Sequence, residues 1–232
     1  KTPSPMLCEV ITQTDIDMVC LDAEHSPFDR MTLDQCIFAL RAGGMPSVVR
    51  VPALAAEHIL NALDCGATGI VAPHIITAED AHLAAARSHF GQGRGFAGST
   101  RAAGYTSKSM ATHMKDSQSD TVVIAQIADK EALDHLDDIF ATAGIDCFFI
   151  GRSDLTVSLG YDDPSHPDVV SAVGAICAKG KEANVRLGTF TANIEEIPSW
   201  RAQNVSLFIL ASDHNFMLQG ARSFSEKVRS YF

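Results

Sequence analysis

The stretch PSVVRVPALAAEHILNALDCGATGIVAPHI, residues 46–75, decides the fold. It begins and ends with short apolar runs, at residues 46–52 and 69–75, that are rich in β-branched residues, as strands are. Between them, apolar residues recur at helical spacing. Both runs are apolar on both faces, which is typical of a parallel sheet covered by helices. The stretch therefore predicts a strand, a helix and a second, parallel strand.

The same alternation continues along the chain. Seven runs are predicted strands: DMVCLD, PSVVRVP, GIVAPHI, TVVIAQIA, DCFFIGR, VRLGTF and LFILASD. Helical patterns lie between them, with Thr32, Thr77 and Ser165 as predicted N-caps. The chain ends in a further helical pattern, HNFMLQGARSFSEKVRSYF, whose apolar residues would serve either a domain-swapped contact or packing against its own barrel.

Two closures of such a sheet compete. A doubly wound sheet usually carries a glycine-rich phosphate turn directly after its first strand, but the only glycine-rich stretch, GQGRG at residues 91–95, follows a helical pattern. A (β/α)8 TIM barrel needs one more strand, and residues 4–14 read as the helix that would follow it. We predict a single α/β barrel domain over residues 1–232, with its first strand short or missing.

Composition narrows the functional classes. The chain has 28 acidic and 18 basic residues, a net charge of -10, so nucleic acid and anionic membrane surfaces are poor partners. The six cysteines are scattered and never form CxxC, which argues against a zinc ribbon or a disulfide framework. No apolar stretch reaches membrane-spanning length, and the N-terminus lacks a signal-peptide pattern. We therefore expect a cytoplasmic protein.

Polar residues gather where the predicted strands end, which in a barrel is the functional face. They are Asp22, Glu24, His25, Arg50, His74, Gln126, Arg152, Ser153, Asp154, Thr189, Thr191, Asn193, Ser212 and Asp213. Asp22 or Asp154 would alternatively cap a helix. Arg50 ends an otherwise apolar strand, so its charge needs an anion. That anion is either a substrate oxygen or, in a structural ion pair, Glu24 or Asp22.

These residues carry a resemblance. DAEHSP, residues 22–27, resembles the D-x-E-H-x-P signature of the HpcH/HpaI aldolase family, the metal-dependent class II pyruvate aldolases. The match continues in order through VVRVP, LDCGATGIVAPHI, GQGRG, AQIADKEAL, FFIGRSDLTVSLGY and GTFTAN, and so covers nearly the whole chain. The resemblance implies a (β/α)8 barrel assembled as a homo-oligomer, usually a hexamer of domain-swapped dimers. It also implies a carbon–carbon lyase that cleaves or forms 4-hydroxy-2-oxo acids from pyruvate and an aldehyde.

The resemblance also implies a role for each matching residue. Arg50 would stabilise the pyruvate enolate together with a divalent metal (Mg, Mn or Co), the electrostatic role that its chemistry suggests independently. His25 would be the general base, and Asp64 would orient it, either within the chain or across a subunit contact. The remaining residues would support the metal and the keto acid: Asp22 near the metal, Gln126 and the backbone at Ser153 and Asp154 on the keto acid, and Asp154 as a metal ligand. No lysine lies in a predicted strand, which suits a mechanism without a Schiff base.

One departure stands out. The family has a second metal-ligating glutamate two residues after the strand-end glutamine, where this chain has Ala128. Asp129 would replace it only if the strand ends or bulges there, because residues two apart share a face of a strand. Three outcomes stay open: an aldolase with a weakened or rebuilt metal site, a related acyl or keto-acid lyase, and a metal-poor barrel that binds a keto acid without turnover. Arg152, where the family often has proline, would bind a second substrate carboxylate or offset nearby acids.

Overall fold

The computed structural model describes residues 1–232 and confirms all seven predicted strands. They are β1 (Val19–Asp22), β2 (Ser47–Arg50), β3 (Gly69–Ala72), β4 (Val122–Ile127), β5 (Cys147–Ile150), β6 (Leu187–Thr191) and β7 (Val205–Leu210). Each strand pairs in parallel with the next, so the order in the sheet is the order in the chain. A doubly wound sheet reverses its strand order, and this sheet does not.

The sheet curls into a half-barrel whose edges are β1 and β7. Helix α1 (Pro5–Ile11) precedes β1, and no strand precedes α1. The prediction of a barrel-type sheet with its first strand short or missing is therefore confirmed.

Helices cover the outer face. After α1 they are α2 (Arg30–Ala42), α3 (Ala56–Asp64), α4 (Ala78–Ser88), α5 (Met110–Asp120), α6 (Leu136–Phe140), α7 (Arg152–Ser158), α8 (Pro167–Glu182), α9 (Ile197–Ala202) and α10 (Asp213–Arg229). The sequence did not predict α5, because its residues MATHMKDSQSD are too polar to show a periodic face; only His113 and Ser117 are buried.

Two of the three predicted N-caps are wrong. Thr77 is confirmed, and with Asp80 it forms a capping box at α4. Asp29 caps α2 instead of Thr32, because its carboxylate accepts the Thr32 N–H at 2.7 Å and so begins the helix one turn earlier. His166 takes the place predicted for Ser165 at α8.

The sheet separates two apolar layers. The large outer core lies between strands and helices and includes Ile37, Leu40, Ile59, Ile70 and Phe148. A small inner core consists of Val48, Val71, Ile124, Cys147 and Phe149. Because successive side chains of a strand alternate between faces, residues two positions beyond the inner core continue the inner face toward the carboxyl ends of the strands.

The C-terminal helix α10 has no buried residue. Its large apolar side chains, including Phe216, Met217, Leu218, Phe224 and Val228, are exposed to solvent. The helix thus does not pack its apolar residues against its own barrel, which was one of the two predicted uses. None of the helices combines the length and the apolar character that crossing a membrane requires.

Candidate functional site

The inner face turns from apolar to polar at the carboxyl ends of the strands. Arg50 lies two residues beyond Val48 on β2, and Gln126 lies two beyond Ile124 on β4. Register places Arg50 beside Asp22 of β1, since the two are paired across the strands. The alternation that builds the inner core therefore also directs these polar side chains into the mouth of the half-barrel.

Arg50 is held by two carboxylates. Its Nε and Nη2 donate to the two oxygens of Asp22 at 2.8 and 2.7 Å, and Nη1 lies 3.2 Å from Glu24 Oε2. Burial lowers the pKa of Arg50, but the hydrogen bond and charge of Asp22 and the charge of Glu24 outweigh it and raise that pKa. Both alternatives for an ion-pair partner of Arg50 are thus realised at once.

Asp22 organises the turn that follows β1. Besides Arg50 and the ammonium of Lys1, it accepts the backbone N–H groups of Glu24 and His25, each at 3.3 Å. Burial raises its pKa, but the hydrogen bonds from Arg50, Lys1 and His25 outweigh burial and hold the pKa of Asp22 well below its usual range. Asp22 is therefore an anion fixed on Arg50 and not a helix cap.

His25 and Asp64 lie at opposite ends of the sheet. His25 follows β1, its side chain is 56% exposed, and its Nε2 lies 3.8 Å from Glu24 Oε2. Asp64 ends α3, before β3 begins, and accepts from the buried Arg94 at 2.9 Å. Within one chain, then, Asp64 does not orient His25. The predicted contact between them stays possible only across two copies of the chain.

Gln126, Ala128 and Asp154 surround Gly151. The amide Nε2 of Gln126 donates to Asp154 Oδ2 at 3.1 Å. A Cβ placed on Gly151 would lie 2.7 Å from that Nε2, 3.0 Å from the Ala128 Cβ and 3.5 Å from Asp154 Oδ2. Ala128 thus lies on the same face as Gln126, beside Asp154, and a glycine at position 151 is needed for this approach.

Of the two residues that precede Asp154, Ser153 lies in the site and Arg152 does not. Asp154 and Ser153 lie in the first turn of α7, where backbone N–H groups have no intrahelical partner, and Asp154 does not cap that helix. Arg152 is engaged elsewhere: its Nη2 lies 3.1 Å from Glu196 Oε2, and its guanidinium lies over the ring of Trp200. Arg152 was predicted either to bind a second substrate carboxylate or to offset nearby acids. The structure favours the second alternative, because Arg152 pairs with Glu196.

The strand ends of β6 and β7 carry structural residues. Asn193 caps a 3-10 turn, Ser212 caps α10, and Asp213 accepts the Thr2 N–H at 2.8 Å. None of these residues contacts Arg50 directly, but Asp213 also binds the N-terminal amine of Lys1 at 3.0 Å, and the side chain of Lys1 binds Asp22. The side chains that contact Arg50 come from the end of β1 and the turn after it.

His74 received no role from the sequence, and Asp129 received only a conditional one, as a replacement for the glutamate that is missing at position 128. His74 Nδ1 lies 2.9 Å from Asp129 Oδ2, and Nε2 lies 3.4 Å from Glu24 Oε1. β4 ends at Ile127, so the condition under which Asp129 would enter the site is met. Asp129 contacts His74, however, and not Asp154. The sequence feature that could have indicated this pair is His74 itself, a histidine that follows Pro73 at the end of a predicted strand.

The donor groups around Asp154 fit a weakly held divalent cation. Asp154 supplies one carboxylate, and the buried Gln126 Oε1 has no hydrogen-bond partner, whereas Ala128 supplies no donor. No group of three or more His, Cys, Asp or Glu side chains converges in a geometry that would hold a metal ion. Magnesium often takes one or two carboxylates and completes its shell with substrate oxygens and water. An ion at Asp154 and Gln126 would therefore depend on bound substrate.

Known proteins are similar to this chain in sequence and architecture. The profile of the HpcH/HpaI aldolase/citrate lyase family matches residues 2–219. A hydroxypyruvate/pyruvate aldolase of Paraburkholderia phytofirmans PsJN is 32% identical over 98% of this chain and 90% of its own length. A 5-keto-4-deoxy-D-glucarate aldolase of Shigella boydii is 32% identical over 88% of this chain and 81% of its own. The crystal structure of an HpcH/HpaI aldolase/citrate lyase family protein from Burkholderia cenocepacia J2315 superposes with a TM-score of 0.92 at 32% identity, over 98% of this chain and 91% of that one.

Proposed function

The chain belongs to the HpcH/HpaI aldolase/citrate lyase family, and from this premise we propose that it is a carbon–carbon lyase that cleaves or forms 4-hydroxy-2-oxo acids. Pyruvate would be the nucleophile and an aldehyde its partner. The observation that carries the proposal is Arg50, a guanidinium fixed by Asp22 and Glu24 on the inner face of the sheet. A cation held in place before the reaction stabilises the negative charge that develops on an enolate oxygen.

The other residues have complementary roles. Gln126 and the first-turn N–H groups of Ser153 and Asp154 would bind the keto acid, as the family resemblance implies. His25, on the exposed rim, would take the proton of the 4-hydroxyl group as the carbon–carbon bond breaks. Asp154 with Gln126 would hold a divalent ion (Mg, Mn or Co), which when bound supplies Lewis acidity at the keto acid.

Exchange of the pyruvate methyl protons for deuterium, followed by NMR, tests this function. We expect no exchange after chelator treatment and exchange once magnesium, manganese or cobalt is added. Absence of exchange with every metal would refute the aldolase. Exchange that survives chelation would remove the metal from the mechanism.

The alternative is a keto-acid binding protein without turnover, which Ala128 favours because it removes a potential ligand. Calorimetric titration with pyruvate distinguishes the two. Binding without methyl exchange under any metal would support the binding protein, whereas binding with exchange would support the lyase.

We also propose that the chain acts as a homo-oligomer, a hexamer or trimer of dimers. The exposed apolar residues of α10 support this, because several large apolar side chains exposed on one helix are typical of a contact between proteins. Light scattering of the purified protein measures the assembly, and Phe224→Glu is expected to reduce its mass. A monomeric wild-type chain would contradict the proposal.

An oligomer also gives Asp64 a route to His25 of another copy. Mixing inactive His25→Asn and Asp64→Asn chains under conditions of subunit exchange would then restore activity in the sites that combine an intact His25 with an intact Asp64. Mixtures that exchange subunits and stay inactive would remove Asp64 from the site.

All six cysteines are free, which supports placing the protein in the cytoplasm.

A further inference from the structure

His74 has an unusual backbone conformation at the mouth of the half-barrel. Its φ is +52°, in the left-handed region that few side chains adopt. The neighbouring Ile75 N–H donates to the carbonyl of Gln126 at 2.9 Å and so ties this turn to β4. Such strained residues concentrate at functional sites, where the surrounding structure holds them in place.

Asp129 orients the ring of His74. Its Oδ2 lies 2.9 Å from Nδ1, so Nδ1 carries a proton and Nε2 faces the cluster. A carboxylate on one ring nitrogen is the usual way to fix the tautomer of an acid–base histidine. His25 has no comparable partner within its own chain, because its nearest carboxylate oxygen, on Glu24, is 3.8 Å away.

Glu24 places His74 next to Arg50. One carboxylate oxygen of Glu24 lies 3.4 Å from His74 Nε2, and the other lies 3.2 Å from Arg50 Nη1 and 3.8 Å from His25 Nε2. Two histidines therefore flank the carboxylate that touches the proposed enolate-binding guanidinium.

The charges around His74 favour its protonated form. Burial lowers the pKa of His74, but the hydrogen bond with Asp129 and the charges of Asp129, Glu24 and Asp154 outweigh burial and raise that pKa. Its side chain is 51% exposed, so a proton lost to a ligand is replaced from solvent. His74 therefore has the chemistry of a general acid.

Aldol cleavage moves two protons, one from the 4-hydroxyl oxygen and one to C3 of the product enolate. We propose that His74 is the acid that protonates C3, and that Asp129 is its positioning residue. This inference rests on the proposed function, in which His25 takes the hydroxyl proton.

The bonding changes balance. As His25 takes the proton, the O–H electron pair becomes the aldehyde C=O bond, the C3–C4 pair becomes the C2=C3 double bond of pyruvate enolate, and the π pair of the C2 carbonyl moves onto its oxygen. The C2=C3 π pair then takes the proton from His74 Nε2, whose N–H pair stays on the ring, and the oxygen pair restores the C2 carbonyl. Pyruvate results, and the two histidines regain their starting states by exchanging protons with water.

His74→Asn tests the proposal, because asparagine tolerates the left-handed backbone. We expect pyruvate methyl exchange to fall about 100-fold, within the range for loss of a general acid. Aldehyde release in the first turnover of a 4-hydroxy-2-oxo acid should stay unchanged, since it precedes protonation at C3. His82→Asn on α4, an exposed histidine outside the cluster, is the matched control and should leave both rates unchanged.

Two further variants separate an acid from a structural residue. His74→Gly keeps the left-handed backbone, and added imidazole should restore its exchange. Asp129→Asn should move the pH profile of exchange to lower pH, because Asp129 raises the pKa of His74, and Asp129→Glu should return it toward the wild type.

The outcomes distinguish this inference from the proposed function. Wild-type protein that exchanges no methyl proton with any metal refutes the lyase itself. Exchange in the wild type that is unchanged in His74→Asn refutes only the role of His74. An equal loss of exchange and of first-turnover aldehyde release also overturns it, because His74 would then hold the substrate and not protonate C3.

Discussion

The two halves of the site differ in how their charges are paired. At the ends of β1 to β3, Arg50 is bound by Asp22 and Glu24, and Glu24 also faces His74. At the ends of β4 and β5, Asp154 accepts from Gln126 only, and the buried Gln126 Oε1 has no partner. The first half satisfies its polar groups within the chain, whereas the second half leaves oxygens free for a ligand.

Under the proposed function, the two halves would have different tasks. A network of paired charges is fixed before substrate arrives, so it stabilises developing charge without reorganising. Unpaired oxygens beside a missing carboxylate instead suit an ion or substrate that binds and leaves. Ala128 belongs to the open half, since it lies beside Gln126 and Asp154 and contributes no polar group.

Arg50→Ala should have the largest effect, because it breaks the paired half. Enolisation should be lost, and the free energy of unfolding should fall by about 3 kcal/mol, since the buried carboxylates of Asp22 and Glu24 would lose the guanidinium that they share. Methyl exchange and urea denaturation measure the two losses.

Arg50→Lys is the matched control. It keeps the charge but not the two-point contact with Asp22, so stability should largely return while exchange stays low. Wild-type exchange in either variant would remove Arg50 from the proposed chemistry.

Ala128→Glu should convert the open half into a fuller cation site. A second carboxylate beside Asp154 is expected to tighten magnesium or manganese binding at least about 10-fold, since even indirect contacts to a metal site are worth that much. Calorimetric titration of the metal measures the change.

Ala128→Gln, of nearly the same size without the charge, should give a smaller gain. Equal metal affinity in the wild type and Ala128→Glu would show that position 128 does not face the ion.

The sequence predicted more of the fold than of the site. All seven strands followed from apolar runs, because a buried strand is a short run of apolar residues that is visible in the local sequence. Helix α5 did not, since its residues are polar and it packs through His113 and Ser117. Within the site, the strand-end positions located Arg50, Gln126 and Asp154. The pairing of His74 with Asp129 depends on where β4 ends, and strand boundaries are the least predictable feature of a pattern.

The next largest effect should come from low pH, which removes the contribution of Asp22 to stability in the paired half. The folded pKa of Asp22 is depressed, so its contribution to stability is present above its unfolded pKa of about 4 and is lost as pH falls below that value. We expect Asp22→Asn to lose about 1 to 2 kcal/mol at pH 7 and to depend less on pH between about 4 and 2. Chemical denaturation across that range measures both. Parallel pH curves for the two proteins would contradict the depressed pKa.

His74 should have the smallest effect on stability, and its contribution should fall as pH rises, opposite to that of Asp22. Its folded pKa is raised, so its contribution to stability is fully present below its unfolded pKa of about 6.5 and is lost as pH rises through the folded value. The side chain is half exposed, and solvent screening limits the contribution to a few tenths of a kcal/mol. Wild type, His74→Asn and Asp129→Asn should therefore have unfolding curves that converge at alkaline pH, with the wild type more stable near pH 6. A wild-type advantage that is the same at both pH values would mean that Asp129 holds His74 through packing, and the raised pKa would lose its support.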